Sequence, residues 1–353
     1  MQWAFFPLDR ELRLRRDSWS EGVVRALAWL GTTQPSFEIA AKTFSELVGV
    51  WLSDTTVWRC HGEVAGQLEQ LLGTEEEQLN EWPQNDAAEE QVAVQSAVGE
   101  RASVSVDGAL VRIREEGYRE VKMVSVSEVE ERPVPKPKRE EVGDSEEELK
   151  LVHHSYRAVL GDKATFEAAL RAELARRCVQ DAAQITSVND GAAWIWDLIE
   201  KYLPEARVEV LDWSHAVQNL AKAAAAAWGE GTPKAHAWLA ERKTELWAGQ
   251  VSAVMVALLQ LPRRRGERGR VIGNVLEYVT QHAARMEYAR FRAEGRPIGS
   301  GTVESGAKNV VQWRMKRGGQ SWNPTPAQRM LAALGELHSG RWPSARRHLA
   351  KAA

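Results

Sequence analysis

The sequence predicts an α/β core interrupted by an all-α insertion and preceded by a helical N-terminal region. Three observations carry this. Residues 17–72 read as helices, with Phe37 to Val48 placing apolar side chains at three- and four-residue spacing, the mark of one buried helix face. From residue 102 the period shortens to two, and strand-like segments then alternate with helix-like ones as far as Asp212. Residues 213–296 revert to alanine runs and spaced tryptophans (Trp228, Trp238, Trp247) with no strand pattern among them.

The 353 residues, 44% hydrophobic and 27% charged, suffice for roughly two or three domains with a buried core. No apolar run reaches the length of about eighteen residues that a membrane-spanning helix needs, and Met1 to Pro7 lacks the pattern of a secretory signal. Two distant cysteines, Cys60 and Cys178, argue against a disulfide framework or zinc site and fit a reducing cytoplasm. The net charge of −3 conceals a gradient: residues 61–100 hold ten acidic and no basic side chains, 128–148 nine and four, but 261–353 hold six and eighteen. A basic C-terminal third suits a polyanion, although a merely solvated surface has the same charge count.

At the N-terminus the helical pattern stops at Gly49 and restarts after Ser53, whose hydroxyl is suited to cap a new helix. Helix, short turn, capped second helix is the layout of a helix-turn-helix, in which Thr55, Thr56 and Arg59 would face bases or phosphates. An ordinary helical hairpin has the same pattern. Residues 1–72 are thus read as a helical DNA-binding region and 73–100, rich in Glu, Gln and Ala, as an acidic connector.

In the core, Ala102 to Asp107, Leu110 to Arg114 and Tyr118 to Ser127 read as an antiparallel meander, the first strand ending at Asp107-Gly108. Residues 128–150, charged and proline-bearing, read as a mobile surface loop. A helix over 163–178, a strand at Ile185 to Asp190, a helix at Ala192 to Tyr202 and a strand at Val208 to Asp212 imply parallel crossovers. Three antiparallel strands followed by α/β units is the order of ribonuclease-H-like folds. The core would comprise 101–212 and 297–345, with 213–296 inserted.

Two aspartates, Asp107 and Asp190, each end an expected strand before Gly-Ala, where a carboxylate projects from the sheet edge and glycine permits a sharp turn. Taken singly, an Asp-Gly is more often only a turn. A third acid, Glu304, follows Gly299-Ser300-Gly301 in the first turn of a helix, a position that also suits the helix dipole. Phosphodiester chemistry wants such a set: two Mg²⁺ ions about 3.5–4 Å apart neutralise charge on the attacking and leaving oxygens. Mg²⁺ needs only a few carboxylate oxygens, with Mn²⁺ a possible substitute. Asp107 would bridge both ions, and Asp190 and Glu304 would complete one site each. A two-carboxylate glycosidase would require neither the third acid nor the basic third of the chain.

These segments carry a resemblance. Val104-Ser105-Val106-Asp107-Gly108, Asn189-Asp190-Gly191-Ala192 and Ile298 to Ser305, running on into Arg314 to Trp322, resemble the DDE transposases of bacterial insertion sequences, specifically the ISKra type. Asp212-Trp213-Ser214-His215 is similar to the Asp/Cys-x-x-His signature of related Mutator-type enzymes. The resemblance covers about residues 3–345 and implies a ribonuclease-H-like core with a helical insertion before the glutamate. It also implies metal-dependent cleavage at transposon ends, strand transfer of the 3′-hydroxyl into target DNA, and at least a dimer on DNA in the bacterial nucleoid. His215 would orient a carboxylate or contact DNA; a histidine at a helix start is the alternative. Family members usually carry a cysteine-rich zinc ribbon before the Phe-Phe-Pro-Leu-Asp stretch, here Phe5 to Asp9, and this chain has no such cysteines. A truncated DNA-binding remnant without catalysis is therefore the second expectation. Lys308, Arg314, Lys316 and Arg317, which follow Glu304, are candidates for phosphate contacts. Trp313 and Trp322 would stack on unpaired bases or pack in the core.

Overall fold

The computed structural model describes residues 19–81, 97–133, 147–262 and 265–342. Small and β-branched residues alternating through Arg101–Ile113 form β1, the centre of a five-stranded sheet of order β3-β2-β1-β4-β5. β2 (Gly117–Pro133) pairs antiparallel with β1, and β3 (Glu147–Leu160) antiparallel with β2. β4 (Gln184–Asn189) and β5 (Val208–Leu211) extend the other side in parallel. The result is an α/β fold around a mixed open sheet.

The meander differs from its sequence reading. The segments expected as two strands, 102–107 and 110–114, form one continuous strand, with Asp107 and Gly108 paired to Met123 and Lys122 in mid-ladder. Gly108 therefore makes no turn; a Cβ there would meet only the carboxylate of Glu120, the flexible end of an exposed side chain that can swing aside. The third strand comes from residues 147–160, and 128–133, assigned to a loop, lengthen β2. Residues 134–146 of that loop lie outside the described residues. Charge concealed the ribbon: Glu130 faces Lys150, while Val129 faces Leu151, a period of two carried on a polar background.

Helices cover both sheet faces. α1 (Glu21–Thr33), α2 (Phe37–Val48) and α3 (Asp54–Glu81) precede the sheet. α4 (Lys163–Arg176) and α5 (Ala193–Tyr202) pack Phe166, Leu170, Ile195 and Leu198 on Val104 and Val106. Between β5 and the chain's return to the sheet come five helices, α6 (Trp213–Trp228), α7 (Pro233–Trp247), α8 (Val251–Leu259), α9 (Glu267–Gln281) and α10 (Tyr288–Ala293). Their core is continuous with the sheet: Leu220, Val275 and Tyr288 share one cluster with Val188, Val210 and Leu211. α11 (Gly301–Gly306) runs on through a π-helical stretch, Ala307–Gln312, to a last turn, Trp313–Met315. With α12 (Pro324–His338) it covers the second face, packing Val310 and Leu331 on Val111 and Met123.

The N-terminal helices follow their caps. Ser36 caps α2, Gly49 ends it at φ 73°, and Ser53 Oγ accepts from Thr56 N–H at 3.3 Å to open α3. α3 continues to Glu81, into the segment read as a connector; residues 82–96 lie outside the described residues. Val24, Leu27, Phe44 and Val57 bury against Ala333 of α12, which docks this unit on the core. Among the described residues no helix is long and apolar enough to cross a membrane.

Candidate metal centre

The sheet register aligns the acids. β1 pairs with β4 up to Val104–Ser187; continued by three residues, Asp107 falls level with Asp190. β4 pairs with β5 up to Asn189–Leu211, so Asp190 is level with Asp212. Residues level across a parallel pair share a face, and Asp107 shares its face with Ala109 and Val111, the one α11 covers. α11 brings Glu304 to that face in its first turn. Asn189, fully buried, rivets the row: its Oδ1 accepts from Val106 N–H at 2.7 Å, and its carbonyl accepts from Asp212 N–H at 2.8 Å.

Asp212 closes the neck of the helical insertion. Its Oδ1 caps α6 through His215 N–H at 2.8 Å and meets His215 Nδ1 at 3.0 Å. Its Oδ2 accepts from Ser300 N–H at 2.7 Å and Ser300 Oγ at 2.9 Å. Trp213 N–H adds a bond to the Ile298 carbonyl at 3.0 Å. Asp212, His215 and Glu304 offer ligand atoms within 4.8 Å of one another. With all four of its acceptor positions occupied by protein donors, however, Asp212 is a clamp holding the entry to α11 and is not a free ligand.

The remaining acids repel one another. Burial, with a further push from Asp190 and Glu304, raises the Asp107 carboxyl to about 6, against the Gly108 N–H and His215, which act the other way. The hydrogen bond to Asp212, aided by the fields of Asp212, Asp190 and Glu304, raises His215 and outweighs its burial. Burial opposes ionisation of Asp212, but the bonds from His215 and Ser300 prevail and hold its carboxyl low. Asp107, Asp190, Glu304 and His215 thus lie within one another's fields. Asp107 on β1, Asp190 directly after β4 and Glu304 on α11 are hard oxygen donors of the kind a divalent cation binds.

Replacing Asp212 by asparagine should remove two of the four acceptor positions. The expected result is a His215 pKa returned toward its ordinary value in an NMR titration.

The other candidates divide. Lys308, Lys316 and Arg317 are exposed along α11 and its exit, and Arg317 lies 5.3 Å from the exposed Trp313 ring. Arg314 corrects its sequence reading. It is 1% exposed, stacked on Phe37 and Trp322, with Nε 3.4 Å from the Gly31 carbonyl, so it joins α1 to the core and presents no charge to a phosphate. Trp322 is core, bonded through its backbone to Arg112 and Arg114. Thr55 is exposed and bonded to Asp54, Thr56 is half-buried in the Ser53 cap, and Arg59 is exposed. All three lie on α3, far along the chain from the acids. Asn189, Asp212 and Ser300 stood inside segments singled out in the sequence but carried no role there. An aspartate directly before a helix with histidine three residues on was the available signal for the Asp212 cap.

A comparison with protein-family models finds no match, and neither does one with curated proteins.

Proposed function

We propose that this chain is a DDE-type DNA transposase with a ribonuclease-H-like core. The observation that supports the reading is that Asp190 and Glu304, from two other elements, both act on the Asp107 carboxyl and on His215. The strand order 3-2-1-4-5, with an all-helical block between β5 and the glutamate helix, supports the fold assignment.

Asp107, Asp190 and Glu304 would hold two Mg²⁺ ions, or Mn²⁺ in their place. When bound, such a pair lowers the pKa of an attacking hydroxyl and stabilises the leaving oxygen. The chain's own residues then do the following. Asp107 would serve both ions. Asp190, with one oxygen fixed by Ala192 N–H at 2.9 Å, keeps the other for a ligand. His215, raised and half-exposed, is a donor beside the site for a phosphate oxygen. Lys308, Lys316 and Arg317 hold the DNA backbone in register, and Thr55, Thr56 and Arg59 belong to the segment that meets end DNA. In the first step water attacks phosphorus and the P–O3′ bond breaks, freeing a 3′-hydroxyl. In the second that hydroxyl attacks a target phosphodiester and displaces its 3′-oxygen. Pairing two ends calls for at least a dimer.

A labelled duplex bearing the element's own end tests this. Nicks with extendable 3′-hydroxyls in Mg²⁺, absent in EDTA, are expected. Binding with no nicking in Mg²⁺ or Mn²⁺ would instead identify a non-catalytic remnant.

A further inference from the structure

Gly191, next to Asp190, was read as a turn glycine, yet its φ is not in the left-handed region. Its lack of a side chain has another cause. A Cβ at this position would land in the ring of Tyr278, which reaches over from α9 of the insertion. The Tyr278 hydroxyl is in hydrogen-bonding reach of the Gly191 N–H and the Asn219 amide. One helical turn on, His282 stacks edge-on against Tyr278 at 4.9 Å and hydrogen-bonds the Gly191 backbone. Arg285 then secures this end of the helix: it reaches His282 Nδ1 at 3.2 Å and Glu209 of β5 at 2.7 Å, and stacks on Trp196 at 4.3 Å.

From this geometry we infer that Tyr278 is a positioning residue for Asp190, so that the helical insertion builds part of the metal site. The inference rests on the proposed two-metal reading. The ring fixes one side of the Asp190-Gly191 turn, and the hydroxyl accepts from the turn's own N–H while still carrying a proton. Asp190 is thereby held in one pose before any ion arrives. The insertion acts on the chemistry through this contact, and Gly191 is small because Tyr278 occupies the space.

The test is Mn²⁺ binding to the full chain without DNA, followed by electron paramagnetic resonance, for wild type, Tyr278→Phe and Asp190→Ala. Phenylalanine keeps the ring against Gly191 and removes only the hydroxyl. The expected result is a Mn²⁺ dissociation constant raised about tenfold in Tyr278→Phe, an altered spectrum of the bound ion, and an unchanged melting temperature in EDTA. A merely structural tyrosine would shift the melt and leave the spectrum alone. Tyr278→Phe that matches wild type within about twofold, while Asp190→Ala binds weakly, overturns this inference and leaves the metal site standing. Wild type that binds no Mn²⁺ overturns the two-metal reading and this inference with it.

Discussion

Asparagine in place of Asp107 is expected to lower nicking by about 10³-fold or more while making the metal-free protein more stable above pH 6. On the proposed two-metal reading the first effect follows from losing an acid that would serve both ions: several kcal/mol of charge stabilisation goes, at about 1.4 kcal/mol per tenfold. The second follows from the Asp107 carboxyl, raised from 3.8 to about 6 by burial and its acidic neighbours. Between those values the folded protein holds the proton better than the unfolded chain. The stability this lends is complete below pH 3.8 and is lost as the pH rises through 6. Asparagine cannot ionise, so at pH 8 it escapes a penalty of about 3 kcal/mol, and at pH 3.5 the variants should melt alike. Added Mg²⁺ should reverse the order at pH 8 by stabilising wild type alone, by about 4.1 kcal/mol at a thousand times the dissociation constant. Equal melting temperatures at pH 8 in EDTA, unmoved by Mg²⁺, would contradict the account of this site. Thermal melts of the two proteins at pH 3.5 and 8, with and without Mg²⁺, make the comparison.

Alanine in place of Glu173 is expected to cost about 3–5 kcal/mol and to weaken the union of three units at once. Glu173 of α4 is fully buried and accepts from Arg341 Nη1 at 2.8 Å and Nη2 at 3.0 Å, and from Arg176 at 3.2 Å. Arg176 reaches on to Glu75 of α3 at 2.8 Å, and Arg341 to Glu336 of α12 at 3.0 Å. Removing the central carboxylate leaves two guanidinium groups in the interior without their shared counter-charge. Burial opposes ionisation of Glu173, but Arg341 and Arg176 outweigh it and depress its carboxyl to about 2. Its stabilisation is therefore full above pH 4.5 and is lost as the pH falls through about 2. Urea unfolding at pH 7 reads the loss directly. A change under about 1 kcal/mol would mean that the arginines find water or other partners.

What was legible in the sequence followed from signals that local chemistry makes strong. Ser53 and Gly49 announced the boundaries of α2 and α3 because a cap side chain and a left-handed glycine act within a few residues. The strands at β4 and β5 and the helices between them stood out because apolar periodicity was uninterrupted. β3 was not legible, since its pairing partner is a ribbon of alternating charge whose second half lies beyond residues 134–146. Gly108 and Gly191 resembled turn glycines, but Gly108 lies in mid-strand and Gly191 is small because of the Tyr278 ring, which no local pattern carries. Arg314 stood among three exposed basic residues, and only the docking of α1 and Phe37 reveals that its charge is buried. Asp190 was identifiable because it follows a strand and Glu304 because it opens a helix, whereas Asp107 stands in mid-ladder and not at the strand end expected for it. Their company with Asp212 and His215 depends on strand register, which is a long-range property.

The central claim is that Asp107, Asp190 and Glu304 jointly hold divalent ions, and crystals soaked in Mn²⁺ test it most directly. An anomalous difference map should show two peaks about 3.5–4 Å apart. Asp107 should touch both, with Asp190 on one and Glu304 on the other, and Asp212 should remain on His215 and Ser300. A map without density among these three carboxylates at saturating Mn²⁺, in crystals that leave the sheet edge open, would contradict it.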